Sequence, residues 1–221
     1  MSDTHHEALI GRLTTNLLPV RRLASPGRRA LLWITLVAAA AVVLAQFANL
    51  PAMRARLFGA PDMWLSVVGA IATMICAAVA AFQTSIPGRS ARWALLPLPG
   101  LVLWIGASGI GCLRSLVVPA THGLTMQEER GCMGFIVGVS LPLCIILILM
   151  LRRACPLRPG LTAAMVGLAA SAASATLLMF FHPLDASATD LAGHAFAVGI
   201  VVLLNRIVGG RLLTTGLYRS R

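Results

Sequence analysis

Thiol, imidazole and carboxylate groups are scarce in this chain, with five cysteines, five histidines and seven acidic residues among 221. The stretch EERGCMGF, Glu128 to Phe135, sets two carboxylates, an arginine and Cys132 directly before a long apolar run. Farther on, MFFHPLDAS closes another apolar run at His182, with Asp185 behind it and His194 opening the next run. Thiolate, imidazole and carboxylate are the ligand types that zinc and other thiophilic metals take. Cys132, His182 and His194 are therefore candidate metal ligands. The competing reading is structural: a lone cysteine at a helix end is a small apolar filler, and a histidine there anchors the interface. A third possibility is a disulfide between Cys132 and Cys112, which requires Cα atoms about 4.4–6.8 Å apart. Cys76 and Cys144 fall inside apolar runs and read as packing.

These groups must be positioned by membrane helices. Hydrophobic residues make up 58% of the chain and charged residues 11%, and mean hydropathy is +0.86. A soluble domain carries about 25% charged residues, so this chain has too little polar surface to cover a soluble core. It reads as an all-α polytopic membrane protein. Six runs approach the roughly 20 residues that a helix needs to cross the hydrocarbon core: 30–50, 63–83, 91–111, 132–151, 161–181 and 193–209. The short segment RRACPLRPG between the fourth and fifth runs predicts antiparallel neighbours. Small residues in MVGLAASAASATLL (165–178) predict close helix approach, and Pro97 and Pro99 predict a bend at the start of the third run.

The net charge of +11 comes from 18 arginines and no lysine. Such a balance suits nucleic acid, but here the arginines lie between apolar runs, where topology signals belong. No direct nucleic-acid contact is expected. With a cytoplasmic N-terminus, fourteen arginines fall inside and four outside (Arg54, Arg56, Arg114 and Arg130). The expectation is both termini in the cytoplasm, with Cys132 and His182 at the outer ends of the fourth and fifth spans and Cys112 at the outer end of the third. Cys155 is then cytoplasmic and reduced. The division follows as a cytoplasmic tail over 1–29, a transmembrane domain over 30–209 and a cytoplasmic tail over 210–221.

The leading tail has a pattern of its own. Leu9, Leu13, Leu17 and Val20, with Ile10 alongside, form one apolar stripe at helical spacing. Thr4 and Glu7 resemble a capping box, and Pro19 ends or kinks the helix. Arg21 and Arg22 follow. Two readings stay open: an amphipathic helix lying on the anionic leaflet, or a linear element that docks its apolar face into a partner's groove. A helix this short is marginal in water, so the tail is expected to be loose without a partner.

The tail LIGRLTTNLLPVRRLASPGRRALLW resembles the opening of the NrsF-type membrane anti-sigma factors of bacteria. Further likeness lies in AAVAAFQTSIPGRSARWALLPL (77–98), in residues 129–170 and near His182. The resemblance implies a six-span protein of the bacterial inner membrane that sequesters an extracytoplasmic-function sigma factor through its cytoplasmic N-terminal segment. It implies Leu9, Leu13, Leu17, Arg21 and Arg22 as partner contacts. The resemblance also implies release of the sigma factor by thiophilic heavy metals or thiol oxidation at two periplasmic cysteines. Cys132 matches the first. Where the second is expected this chain has His182, which leaves a Cys132–His182 metal site, a Cys112–Cys132 pair or a sensor that has lost its switch. No resident cofactor is expected; a metal would act as a transient signal.

Two other function classes compete with this one. A small metal or organic-cation transporter needs charged or polar groups deep in the membrane, and no charged residue lies near the centre of a predicted span. An enzyme is not expected, because no paired buried carboxylates, Ser/His/Asp set, HExxH or phosphate-binding glycine loop occurs.

Overall fold

The computed structural model describes residues 3–15, 22–59, 61–117, 126–181 and 188–215. In chain order the helices are α1 (Asp3–Thr15), α2 (Pro26–Ala45), α3 (Leu50–Gly59), α4 (Pro61–Thr84), α5 (Leu98–Val117), α6 (Met126–Leu151), α7 (Pro159–Leu178), α8 (Ala188–Leu204) and α9 (Gly210–Thr215). A 3-10 turn over Ala91–Leu95 precedes α5, and a π-helical turn over Asn205–Gly209 joins α8 to α9. No strand occurs among the described residues. Among the described residues six segments are long and apolar enough to cross a membrane, so the chain is a multi-pass membrane protein whose spans follow the six predicted runs.

Local chemistry explains most boundaries. α2 starts at Pro26 behind Ser25, whose Oγ accepts from the Arg28 N–H at 3.4 Å. That is an N-cap followed by proline at the first helical position, where its missing N–H costs nothing. The bend expected from Pro97 and Pro99 appears as the 3-10 turn and a restart at Leu98. At α3 and α6 the helices depart from the sequence reading. α3 is an additional short helix. α6 begins at Met126, six residues ahead of the predicted span, because the polar QEER stretch continues the helix instead of ending it.

α7 is the hub. It packs against α4, α6, α8, the π turn and α9, and thirteen of its twenty residues are buried. Its small side chains permit this, as read from 165–178. At Gly167 a Cβ would stand 2.8 Å from Val202 Cα, so α8 crosses there at backbone distance. On α4 a Cβ at Gly69 would stand 2.5 Å from the Trp104 backbone nitrogen, so α5 crosses there at the same close range. Hydroxyl pairs tie three seams: Ser140 of α6 to Ser174 of α7 at 3.0 Å, Thr162 of α7 to Thr84 of α4 at 3.2 Å and Ser66 of α4 to Ser108 of α5 at 2.9 Å. Each such bond contributes about 0.6 kcal/mol in a membrane bundle. Asn205, at the start of the π turn, donates from Nδ2 to Cys144 Sγ at 3.1 Å and to the Val201 carbonyl at 2.9 Å.

Contacts between helix ends fix two faces. Arg29 lies against Phe82, Thr162 against Thr84, and Gly160 against Arg206 and Gly210. These join the start of α2, the end of α4, the start of α7 and the end of the sixth span into one arginine-rich end. At the opposite end Asp62, in the first turn of α4, meets α5 beside Gly111, where a Cβ would stand 2.8 Å from its Oδ2.

Candidate functional site

The leading segment is the most exposed part of the described chain. The sequence reading expects it loose; α1 is instead helical over thirteen residues, with the Thr14 hydroxyl donating to the Ile10 carbonyl at 2.9 Å and Thr15 to Gly11 at 2.6 Å. It begins at Asp3, so Thr4 lies inside the first turn and is not the cap expected with Glu7. Every residue from His6 to Thr15 is exposed. Leu9 and Leu13, four apart, stand 50% and 64% exposed on one side, with Ile10 beside them. Exposed aliphatic residues at helical spacing suit either a partner's apolar groove or a bilayer surface. Leu17 and Arg21 lie outside the described residues. Arg22 is exposed in the segment leading to Ser25.

That segment enters α2, and α2 is pinned to the bundle by one narrow stripe. Ala30, Trp33 and Val37 are buried while Leu31, Leu32, Leu36, Val42 and Val43 face outward. Trp33 has no exposed surface, and its Nε1 donates to the Leu143 carbonyl of α6 at 3.3 Å. One turn earlier the Arg29 guanidinium sits over the Phe82 ring, 4.9 Å from its centroid, a cation–π contact. Sequence reasoning took Arg29 as a topology signal and did not single out Trp33. The available signal was the spacing of four from Arg29 to Trp33 to Val37, which sets one face of an otherwise aliphatic span. Pro142, inside α6, stands next to the carbonyl that receives Trp33. A proline there removes one backbone donor and makes the helix bendable at that turn.

The other candidate is the far end of α6. The opening EERGCMGF motif suggests an accessible sulfur, but Cys132 is 8% exposed and packs with Ile136 of its own helix, Leu178 of α7 and Ala197 of α8. The reason is the early start of α6: six residues at 1.5 Å each carry Cys132 about 9 Å into the helix. Phe135 and Phe181 meet above the same seam, with ring centroids 6.2 Å apart. The predicted antiparallel packing of the fourth and fifth spans is present as α6 against α7. His182 lies outside the described residues. His194, on α8, is half-buried and lines a cavity that it shares with Leu178. Leu178 thus touches both the Cys132 cluster and the cavity of His194. Among the described residues no group of three or more His, Cys, Asp or Glu is placed to hold a metal. Cys112 falls on α5 one residue after Gly111, which faces α4. α5 packs mainly on α4, whereas α6 packs on α7 and α8.

The arrangement therefore presents an apolar, helical tail at the arginine-rich end and a buried thiol at the other, linked along α6 and Trp33. Against known families, the one described as "NrsF: Negative regulator of sigma F" matches residues 13–214. No curated protein and no solved structure matches the chain.

Proposed function

This chain belongs to the NrsF family, negative regulators of sigma F, and from that premise we propose that it is an anti-sigma factor of the bacterial inner membrane. Its arginine-rich end faces the cytoplasm, as the positive-inside rule requires of fourteen arginines against four. Both termini are then cytoplasmic. Residues 1–29 form the partner-binding tail, 30–209 the membrane domain and 210–221 a second cytoplasmic tail. The sigma factor is of the extracytoplasmic-function class. Leu9, Leu13 and Leu17 occupy its apolar groove while Arg21 and Arg22 meet acidic residues at the rim. The observation that carries this reading is the uncovered Leu9/Ile10/Leu13 stripe on a helix that joins the first span.

Release is set at the periplasmic end. A thiophilic metal or an oxidant acts on Cys132, together with His182 and His194 or with Cys112 as the second group. Because Cys132 is buried among Ile136, Leu178 and Ala197, reaction requires the outer ends of α6, α7 and α8 to part. α6 carries that change inward. Leu143 lies eleven residues from Cys132, about 16 Å along the helix, and holds Trp33 of α2 through its carbonyl. A tilt of α6 about Pro142 moves the carbonyl, the indole and with them the root of the tail. Shifting occupancy from 99:1 to 1:99 takes about 5.5 kcal/mol of differential binding, which a metal–thiolate bond supplies and one hydrogen bond does not.

The test is transcription from a promoter that depends on the partner sigma factor, in cells carrying the full chain or the chain without residues 3–15. Deletion is expected to raise transcription to the level of cells lacking the protein altogether. Unchanged repression, with the shortened chain present in the membrane at normal amount, would refute the tail as the binding element.

A further inference from the structure

A cavity of about 460 Å³ runs along the bundle between α5 and α8, with α4 and α7 forming its back wall. Its size falls in the range of roughly 300–1,000 Å³ typical of ligand sites. Its lining is mainly apolar, with Leu101, Trp104, Ile105, Leu168, Val198 and Val202 among the side chains that form it. Two of the polar groups on the wall, the Ser66 and Ser108 hydroxyls, bond each other at 2.9 Å and so add little polarity. Gly199 lines the cleft and has open space before it, for a Cβ there would meet nothing within 4 Å. The lining extends from Leu191 on α8 to Arg206 in the π turn, a rise of about 22 Å at 1.5 Å per residue. That exceeds the depth of one leaflet, about 15 Å as half of a 30 Å core.

Arg206 closes the arginine-rich end of this cleft and is exposed. Its stem lies against α7, with Cγ 3.8 Å from where a Cβ on Gly160 would stand. The start of α7 there has no side-chain cap, so its first N–H groups add to the positive potential. The cleft is therefore a mainly apolar channel of acyl-chain length, with the Arg206 guanidinium at its mouth and His194 toward its far end. A transmembrane helix does not fit, since it is about 10–12 Å across and the backbones of α5 and α8 approach within 8 Å of each other. We propose that this groove is a binding site for an anionic phospholipid of the leaflet on the arginine-rich side. One acyl chain lies between α5 and α8, and the phosphate rests on Arg206.

The site is independent of the sigma-factor reading, and its test measures lipid alone. Full-length protein in detergent, stripped of lipid, is titrated with phosphatidylglycerol or phosphatidylethanolamine and followed by native mass spectrometry. One phosphatidylglycerol is expected to bind ahead of all others and more tightly than phosphatidylethanolamine. Arg206→Gln is expected to weaken phosphatidylglycerol about fivefold, the factor that about 1 kcal/mol of attraction per arginine gives, with little effect on phosphatidylethanolamine. Gly199→Leu fills the cleft and is expected to abolish the first binding event for both lipids. Equal affinity of the two lipids for the unaltered chain would overturn the proposal, as would undiminished phosphatidylglycerol binding by a folded Gly199→Leu protein. Displacement of phosphatidylglycerol by equimolar oleate would overturn its assignment to a phospholipid. If Gly199→Leu does not fold, the exposed Arg206→Gln decides alone, and an unchanged lipid preference sinks the site.

Discussion

Alanine at Leu9 and Leu13 tests how α1 binds, because the structure sets how much apolar surface each side chain still has to bury. Full burial of a leucine side chain contributes roughly 1.5–3 kcal/mol. With Leu9 50% and Leu13 64% exposed in the free chain, a covering partner gains about 1–2 kcal/mol at each. Alanine retains the Cβ, so each truncation forfeits about 1 kcal/mol, and the pair about 2 kcal/mol or roughly thirtyfold in Kd. Helix propensity does not confound the result, since alanine favours helix at least as well as leucine. Leu13→Asp goes further, because it also places a carboxylate in the apolar contact, and binding should fall below detection. Thr15→Ala is the control: its hydroxyl turns back to the Gly11 carbonyl on the opposite side of the helix. The assay is the affinity of the full-length protein in nanodiscs for its sigma factor, by interferometry. A Kd for the double alanine variant within about threefold of the unaltered chain would refute the reasoning, for it would mean the stripe stays uncovered in the complex.

Trp33→Phe keeps an aromatic ring in the core and removes the donor to the Leu143 carbonyl. It should cost about 0.5–1.5 kcal/mol, seen as a lower Tm, and should blunt the transcriptional response to the signal while repression holds; a full response would remove Trp33 from the linkage. Cys132→Ser should leave repression intact and abolish induction by thiophilic metals, measured with the same promoter, and induction at full amplitude would exclude the thiol as sensor. Gly167→Leu drives a side chain into α8, where even a Cβ would stand 2.8 Å from Val202 Cα. Overpacking costs about 1–3 kcal/mol or more, so folded yield in detergent should drop sharply; normal yield would show that the α7–α8 seam yields easily.

The six spans were legible because apolar length is a strong signal, and the role of α7 as hub was legible in its run of Gly, Ala and Ser. The early start of α6 was not. Gln127, Glu128, Glu129 and Arg130 read as a polar approach to the apolar run, yet nothing in them breaks a helix, so the helix starts ahead of the apolar region and Cys132 lies within it. α3 was missed because Leu50–Gly59 mixes Arg54 and Arg56 with Leu57 and Phe58 and is too short to span. The π turn at Asn205–Gly209 and the bond from Asn205 to Cys144 depend on two helices meeting, which no local pattern encodes. For the site, the Leu9/Leu13 stripe could be read from spacing alone. The burial of Trp33 against α6 could not, since it is decided by which helix lies opposite.

Sidedness and attachment together form the central claim, and one measurement addresses both. Purified sigma factor is offered to inverted and to right-side-out membrane vesicles containing the full chain, with a peptide of residues 1–29 as competitor. The account predicts binding to inverted vesicles alone, displaced by the peptide. Binding to right-side-out vesicles, or binding to inverted ones that the peptide does not displace, would contradict it.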